Sequence, residues 1–170
     1  MPMTATAPAP VSVKPQVPIW PVFLPGLGCP TRCIYCQQRL QTGQSLRSMS
    51  QIYTNLAHDL YKALQEKHPP IELAFFGGTF TALPRSWRLK LLDLAARFKR
   101  KGLVVSVRCS TRPDCCSGSD LRELVNHGLD TVELGVQSFC PQVLHASNRG
   151  HGPEAIEAAC ADIKAKGLHL

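Results

Sequence analysis

The amino-acid sequence predicts an α/β fold built around a parallel sheet. Three short apolar segments are typical of strands: residues 71–76, 103–107 and 131–136. Each is followed by a segment in which apolar residues recur at the three- and four-residue spacing of a helix. A strand–helix repeat of this kind builds parallel strands that are joined by right-handed crossovers.

The first elements follow one another closely. Residues 19–24 predict a short strand, and Pro21 restricts that strand to a position with an unpaired edge or to a strand entrance. Residues 50–65 place apolar side chains on one helical face, which predicts an amphipathic helix that ends before a Pro-Pro pair. The strand at residues 71–76 then runs directly into Gly77-Gly78.

The second half of the chain continues this alternation. Pro84 suits the first turn of a helix, and Gly102 suits its end. The other predicted elements are a strand at residues 103–107, a helix at 121–127, a strand at 131–136, a helix at 153–166 and the start of a further strand at 168–170. Parallel sheets bind ligands at the carboxyl ends of their strands, so a site is expected in the segments that follow the strands.

The composition is that of one globular domain. The 170 residues are 44% hydrophobic, and no apolar run approaches the roughly 18 residues needed to span a bilayer. Residues 1–18 are rich in Ala and Pro, which predicts a flexible tail and leaves residues 19–170 as the folded core domain. The net charge of +7 permits a polyanionic partner such as RNA without requiring one.

Three cysteines form a C-x3-C-x2-C motif, with Cys29, Cys33 and Cys36 on one short loop. Thiolates so spaced can hold three irons of a four-iron cluster and leave the fourth iron open to a ligand. A structural zinc site is the alternative, but zinc needs a fourth ligand and no second cysteine pair of that kind follows. The candidates for a fourth ligand are His127, His145 and His151.

The other five cysteines are scattered along the chain. They are Cys109, Cys115, Cys116, Cys140 and Cys160. We expect them to be buried thiols that act as small apolar groups. This distribution argues against a disulfide framework and predicts a reducing, cytoplasmic location.

Polar and glycine-rich segments follow the predicted strands and should meet at one rim of the sheet. They are the cysteine motif, Gly77-Gly78-Thr79, residues 110–114 and Gln137-Ser138. One interpretation is that Gly77 and Gly78 let a ligand's ammonium group approach backbone carbonyls, while Thr79 adds a hydroxyl acceptor. The alternative is that the two glycines form only a strand-to-helix turn. Arg149 is suited to clamp a carboxylate through two parallel bonds, or it is solvated. Gln137 faces the rim, or it bonds the backbone at the strand end.

Five motifs follow one another along the chain. They are Gly-Cys-Pro-Thr-Arg-Cys-Ile-Tyr-Cys, Phe-Phe-Gly-Gly-Thr-Phe, Ser-Thr-Arg-Pro-Asp-Cys, Val-Glu-Leu-Gly-Val-Gln-Ser-Phe and Asn-Arg-Gly-His. In this order they resemble the radical S-adenosylmethionine (SAM) core of the catalytic subunit of Elongator and its bacterial relatives. The same positions resemble oxygen-independent coproporphyrinogen oxidases more loosely.

The resemblance implies a fold and a set of site residues. The fold is a partial TIM-like barrel of about six parallel βα units, so we expect this chain to be the N-terminal portion of such a core, truncated after about four units. Cys29, Cys33 and Cys36 would hold a 4Fe-4S cluster. The residues implied to bind SAM are Tyr35, Gly77, Gly78, Thr79, Gln137 and Arg149, with the glycine turn at its amino group and the last two at its ribose and carboxylate. Ser110 stands where the family has a carboxylate, and a serine cannot hold a ribose diol as a charged acceptor does.

The resemblance also implies a reaction. A reduced cluster cleaves SAM to methionine and a 5′-deoxyadenosyl radical, and the radical abstracts hydrogen from a substrate. The residues of the motifs and the positive net charge favour modification of the wobble uridine of tRNA. A porphyrinogen substrate and a non-catalytic metal- or RNA-binding module are the alternatives. The implied partners are SAM, tRNA and an electron donor, and no membrane is expected.

Overall fold

The chain alternates strands and helices around a parallel sheet, as the sequence predicts. The computed structural model describes residues 17–38, 40, 43, 47–116 and 118–170. The strands are β1 (Ile19–Phe23), β2 (Ile71–Phe76), β3 (Val104–Thr111) and β4 (Thr131–Leu134). The helices are α1 (Met49–Gln65), α2 (Arg85–Lys99), α3 (Gly118–Asn126), α4 (Pro141–Ala146) and α5 (Pro153–Ala165). Residues 1–16 of the predicted tail lie outside the described residues.

All four strands are parallel and lie in the order in which they occur along the chain, β1-β2-β3-β4. β1 is an edge strand, which accommodates Pro21 because a proline has no backbone N–H to donate. At the other edge His169 pairs with Thr131 in a parallel bridge. The predicted start of a further strand at residues 168–170 therefore lies beside β4.

The hydrophobic core lies between one face of the sheet and the helices. Its strand residues include Leu73, Phe75, Val107, Cys109 and Val132, and its helix residues include Leu60, Leu91, Phe98, Leu121 and Leu124. Because strand side chains alternate between faces, the intervening residues point to the opposite face. The polar residues on that opposite face are Glu72, Ser106, Arg108, Ser110 and Glu133.

Four elements differ from the sequence prediction, one of which is α3, which begins at Gly118 rather than at residue 121. β3 continues to Thr111 rather than ending at residue 107, because Arg108 occupies the polar face while Cys109 stays in the core. β4 ends at Leu134 rather than at residue 136, opposite the last residue of β3. The helix α4 has no predicted counterpart, since Leu144 is its single buried residue and it shows no apolar periodicity.

The start of α1 is fixed by a reciprocal cap. The Gln51 N–H donates to Ser48 Oγ at 3.2 Å, and the Ser48 N–H donates to Gln51 Oε1 at 2.9 Å, so two of the unpaired groups at the helix start are satisfied. α1 has 17 residues. Among the helices of the described residues, none is long and apolar enough to cross a membrane.

Candidate functional site

The carboxyl ends of the strands open into one cavity of about 720 Å³. Its walls include residues of the four segments that were predicted to meet at the rim, together with residues 133–135 and Arg149. The candidate residues that line it are Cys29, Cys33, Tyr35, Cys36, Gly77, Gly78, Thr79, Gln137 and Arg149. The fold therefore brings every candidate residue to one cavity, while the role of each residue stays a prediction.

The cysteine loop, residues 24–38, lies directly on the glycine turn after β2. The Thr79 N–H donates to Leu27 O at 2.9 Å. A Cβ atom on Gly78 would lie 2.6 Å from Leu24 O and closer still to Leu27 O, which is too close for any side chain. Gly78 is thus required for the loop to pack against the sheet. This requirement is separate from its expected role of letting a ligand approach the backbone.

The three cysteines line the cavity, and two of their sulfurs hydrogen-bond to protein groups. Cys29 Sγ lies 3.2 Å from Thr79 Oγ1, and Cys33 Sγ accepts from Arg149 Nη1 at 3.1 Å. Cys36 is partly exposed beside them. No three His, Cys, Asp or Glu side chains among the described residues are grouped as a metal site. Binding three irons of a cluster would exchange these hydrogen bonds for metal bonds.

The zinc alternative gains no histidine ligand at this cavity. His127 Nδ1 lies 2.6 Å from Asp93 Oδ1 on the helical side of the sheet. His151 Nδ1 is 3.2 Å from Gly152 O, and His145 is exposed on α4. None of the three histidines is among the described residues that line the cavity.

Arg149 is a buried cation in the cavity wall, with 5% of its surface exposed. Its Nη1 donates to Cys33 Sγ and its Nη2 donates to Gly135 O. Its Nε has no hydrogen-bond partner among the described residues. A buried donor without a partner costs free energy, and a guanidinium offers parallel donors that match a carboxylate. Arg149 therefore has the chemistry expected of a carboxylate clamp.

Tyr35 and Gln137 line the more exposed part of the cavity. Partial burial raises the pKa of Tyr35; the neighbouring Cys33 thiol adds to the rise and Arg149 opposes it. The phenol therefore stays a hydrogen-bond donor at neutral pH. Gln137 has a φ of 69°, in the left-handed region that few residues other than glycine adopt. Such strain is common where a side chain is held for ligand binding.

Arg112 holds the site together, and sequence reasoning did not single it out. Its Nη1 donates to Thr31 Oγ1 at 2.6 Å, its Nε donates to Asp114 Oδ1 at 2.9 Å, and its Nη2 also donates to Arg149 O. Burial opposes its charge, but the bond to Asp114 leaves the pKa of Arg112 raised. The order Arg-Pro-Asp in the sequence could have predicted the bond between Arg112 and Asp114. It could not have predicted the bond to Thr31, which is 81 positions away.

Glu133 places a carboxylate in the cavity beside Ser110. Its Oε2 accepts from Ser110 Oγ at 3.1 Å, and its Oε1 lies 2.6 Å from Arg108 Nη1. Arg108 also contacts Glu72 at 2.8 Å, and both carboxylates raise the pKa of Arg108. The acidic group that Ser110 does not supply on β3 is therefore present on the neighbouring strand β4. The sequence alone did not assign a role to Glu133, because its side chain could have pointed to either face of the sheet.

The remaining cysteines divide into buried and accessible thiols. Cys109 and Cys116 are buried, as expected, and burial raises the pKa of Cys116 to about 12, so that thiol stays protonated. Burial also raises the pKa of the half-buried Cys115. Cys160 is partly exposed, and Cys140 is exposed at the start of α4 with its Sγ 3.0 Å from Gln142 Oε1. The expectation of a buried thiol is wrong for Cys140, because only one side of this short helix is covered.

The chain also matches a known protein family. Residues 23–170 match the model of the radical SAM superfamily. The chain belongs to the radical SAM superfamily. Its expected resemblance to the catalytic subunit of Elongator and to coproporphyrinogen oxidases is confirmed by individual relatives.

Three relatives of this radical SAM chain are informative. The tRNA uridine(34) acetyltransferase of Dehalococcoides mccartyi is 26% identical over 85% of this chain and 38% of its own length. The solved structure of the archaeal Methanocaldococcus infernus Elp3 with an N-terminal deletion matches with a TM-score of 0.60 and 23% identity, over 89% of this chain and 36% of that one. Coproporphyrinogen III oxidase from Escherichia coli, described as a radical SAM enzyme, matches with a TM-score of 0.59 and 20% identity. The match covers 92% of this chain and 36% of that one. The chain spans less than half the length of each of these radical SAM proteins.

The cofactors of the radical SAM superfamily fit the residues present. Three thiols in one cavity provide the sulfur ligands that iron prefers in clusters. The orphaned Nε of Arg149 provides a donor that a carboxylate would satisfy. The glycine turn leaves backbone groups accessible to a ligand. A cluster and SAM would therefore meet suitable partners in this cavity.

Proposed function

We propose that this chain binds a 4Fe-4S cluster through Cys29, Cys33 and Cys36 and binds SAM beside it. The observation that carries the proposal is that one cavity joins these three thiols to the glycine turn and to the buried Arg149 with its unpartnered Nε. When bound, the cluster supplies the electron that cleaves SAM to methionine and a 5′-deoxyadenosyl radical, which abstracts hydrogen from the substrate.

Different residues of the cavity then bind different groups of SAM. Arg149 clamps the SAM carboxylate with a guanidinium that is already desolvated, so little further desolvation is required on binding. Backbone carbonyls of Gly77-Gly78 and the hydroxyl of Thr79 accept from the SAM amino group. Gln137 and Glu133, which line the same cavity, accept from ribose hydroxyls. Arg112 keeps the cysteine loop and the Arg149 loop in register with the end of β3.

The proposed substrate is a wobble uridine of tRNA. The name of the Dehalococcoides relative and the net charge of +7 support it, because a cationic surface attracts phosphates. No observation at the cavity favours a porphyrinogen. A non-catalytic metal- or RNA-binding module remains the competing class, and it differs in leaving SAM intact. The cytoplasmic location expected from the cysteine distribution stays a prediction.

One experiment tests cluster, cofactor and chemistry together. The full chain is reconstituted with iron and sulfide without oxygen, reduced with dithionite, mixed with SAM and analysed by chromatography. The expected result is a brown protein with charge-transfer absorbance that forms 5′-deoxyadenosine and methionine in equal amounts. A protein that takes up zinc in place of iron, or that holds iron and leaves SAM intact, would contradict the proposal.

The carboxylate of Glu133 is expected to contribute directly to SAM binding. Replacing it by glutamine (Glu133→Gln) should weaken SAM binding by about tenfold, because a hydrogen bond to a charged acceptor contributes roughly 1.5–3 kcal/mol. Anaerobic equilibrium dialysis of the reconstituted protein with radiolabelled SAM measures this. The matched control is Glu72→Gln, which removes the other partner of Arg108 but does not line the cavity. Equal losses in the two variants would mean that Glu133 acts only through Arg108.

A further inference from the structure

Arg108 lies at the centre of a hydrogen-bonded network on the polar face of the sheet. Its Nη2 donates to Glu72 Oε2 on β2 at 2.8 Å, and its Nη1 donates to Glu133 Oε1 on β4 at 2.6 Å. Ser110 Oγ donates to the other carboxylate oxygen of Glu133, Oε2, at 3.1 Å. The network therefore links the three adjacent strands β2, β3 and β4 through their side chains.

The register of the sheet makes this network possible. The residue opposite Arg108 is Ala74 on β2 and Thr131 on β4. Glu72 lies two positions before Ala74, and Glu133 lies two positions after Thr131. Because alternate residues of a strand share a face, both carboxylates project from the same face as Arg108. Diagonal neighbours of this kind are within reach of a long side chain.

Only part of the network reaches the cavity. Glu133 and Ser110 line it, whereas Arg108 and Glu72 are not among the described residues that do. The side chain of Arg108 is 27% exposed and that of Glu72 is 13% exposed. A ligand in the cavity would therefore contact Glu133 and not Arg108.

We propose that Arg108 is a positioning residue, which holds the Glu133 carboxylate in the orientation that accepts hydrogen bonds from the ribose hydroxyls of SAM. This inference rests on the proposed function, because it takes the cavity as the SAM site. A glutamate side chain that rotates freely loses that freedom when a ligand orders it, which weakens binding. The bonds from Arg108 and Ser110 fix both carboxylate oxygens before a ligand arrives, so the carboxylate is preorganised.

The fixed carboxylate can still accept hydrogen bonds from the ribose. Each carboxylate oxygen has two acceptor positions, and Arg108 and Ser110 use one position on each oxygen of Glu133. One position on each oxygen is left for the two adjacent hydroxyls of a ribose. Arg108 is the stronger of the two anchors, because hydrogen bonds between charged partners are roughly twice as strong as those between neutral ones.

Glu72 keeps the guanidinium of Arg108 in place. It accepts from Nη2 while Glu133 accepts from Nη1, and the buried Nε of Arg108 has no hydrogen-bond partner among the described residues. The two carboxylates thus orient the guanidinium between them. Lysine reproduces this arrangement only in part, because an ammonium is a compact point charge without the planar fork of a guanidinium.

The test is a double-mutant cycle between Arg108→Met and Glu133→Gln in the reconstituted full chain. Methionine keeps an unbranched side chain at the position but donates no hydrogen bond. Anaerobic equilibrium dialysis with the cluster left oxidised measures the Kd of SAM and of a SAM analogue that lacks both ribose hydroxyls. Arg85→Met is the matched control, since Arg85 donates to Glu123 at 3.0 Å and neither residue is among the described residues that line the cavity. Iron content and circular dichroism report on the cluster and the fold of each variant.

Arg108→Met should weaken SAM binding by about fivefold, less than Glu133→Gln does, since the carboxylate is still present but is no longer held. Arg85→Met should stay within about twofold of the unchanged protein, as for ordinary surface substitutions. In protein that already carries Glu133→Gln, adding Arg108→Met should weaken SAM binding by less than about twofold, because residues that act through one contact are not additive. The analogue without ribose hydroxyls should bind the Arg108→Met protein as tightly as it binds the unchanged protein.

Three outcomes would overturn the positioning role. The first is a loss of SAM affinity in Arg108→Met that is equally large in the Glu133→Gln protein or with the analogue, which would make Arg108 a structural residue only. The second is unchanged SAM affinity in Arg108→Met, and the third is unchanged SAM affinity in Glu133→Gln. If the unchanged protein holds a cluster but does not bind SAM, the proposed function itself fails, and this inference fails with it.

A second variant covers the case in which Arg108→Met does not fold. Arg108→Lys keeps a cation between the two carboxylates and takes the place of the methionine variant in the same cycle. It should weaken SAM binding by about threefold, because the ammonium cannot hold both carboxylates in the geometry of the guanidinium. This loss should again disappear in protein that carries Glu133→Gln, and a loss that persists there would overturn the proposal.

Discussion

Replacing Cys33 by alanine should abolish both the iron–sulfur absorbance of the reconstituted protein and its cleavage of SAM. Cys33 is the central thiol of the motif and is 7% exposed, so no solvent-borne ligand can easily take its place. Two thiolates remain in the variant, and two ligands hold a four-iron cluster poorly. The loss also removes the acceptor that Arg149 Nη1 now uses. Absorbance at visible wavelengths, iron content and 5′-deoxyadenosine yield measure the effect.

The control for this prediction is Cys140→Ala. Cys140 is an exposed free cysteine at the start of α4 that does not line the cavity. Its replacement should leave iron content and product yield at the level of the unchanged protein. Circular dichroism of both variants without cluster tests whether the fold survives. A Cys33→Ala protein that folds, takes up a full complement of iron and still cleaves SAM would rule out Cys33 as a ligand.

Replacing Gly78 by alanine should have the second largest effect, on stability and SAM binding together. The φ of Gly78 lies outside the left-handed region, so the backbone angle itself does not exclude alanine. The obstacle is steric, since the new Cβ would lie 2.6 Å from Leu24 O and closer to Leu27 O. The cysteine loop must then move away from the sheet. Overpacking of this kind costs about 1–3 kcal/mol, which lowers the Tm of a protein of this size by several degrees.

The same displacement should separate the thiols from the SAM-binding wall. We therefore expect Gly78→Ala to lower SAM affinity and product yield by at least about tenfold, since small misplacements of reacting groups are costly. Gly118→Ala is the control, because a Cβ there meets Asp162 Oδ2 at an ordinary 3.4 Å at the start of α3. Its Tm should hold or rise slightly, as alanine favours a helix. Unchanged melting and SAM binding in Gly78→Ala would show that the loop does not depend on this contact.

The sequence was sufficient for features that depend on local patterns. Apolar periodicity located β2 at its observed bounds and α1 to within one residue, because amphipathic elements carry the pattern in every few residues. It failed for α4, whose short length buries only Leu144. It also ended β3 too early, because Arg108 continues the strand and pairs with two carboxylates on the polar face of the sheet.

The sequence by itself determined the parallel α/β order, the cysteine loop and the segments that reach the rim, because strand direction fixes which ends of the strands meet. Only the tertiary structure decided how that rim is assembled. The bond from Arg112 to Thr31 spans 81 positions, and the bond from Arg149 to Cys33 spans 116. The place of Glu133 beside Ser110 depends on the register between β3 and β4. Contacts between residues so far apart in the chain leave no local pattern, since they exist only once the separate elements have packed together.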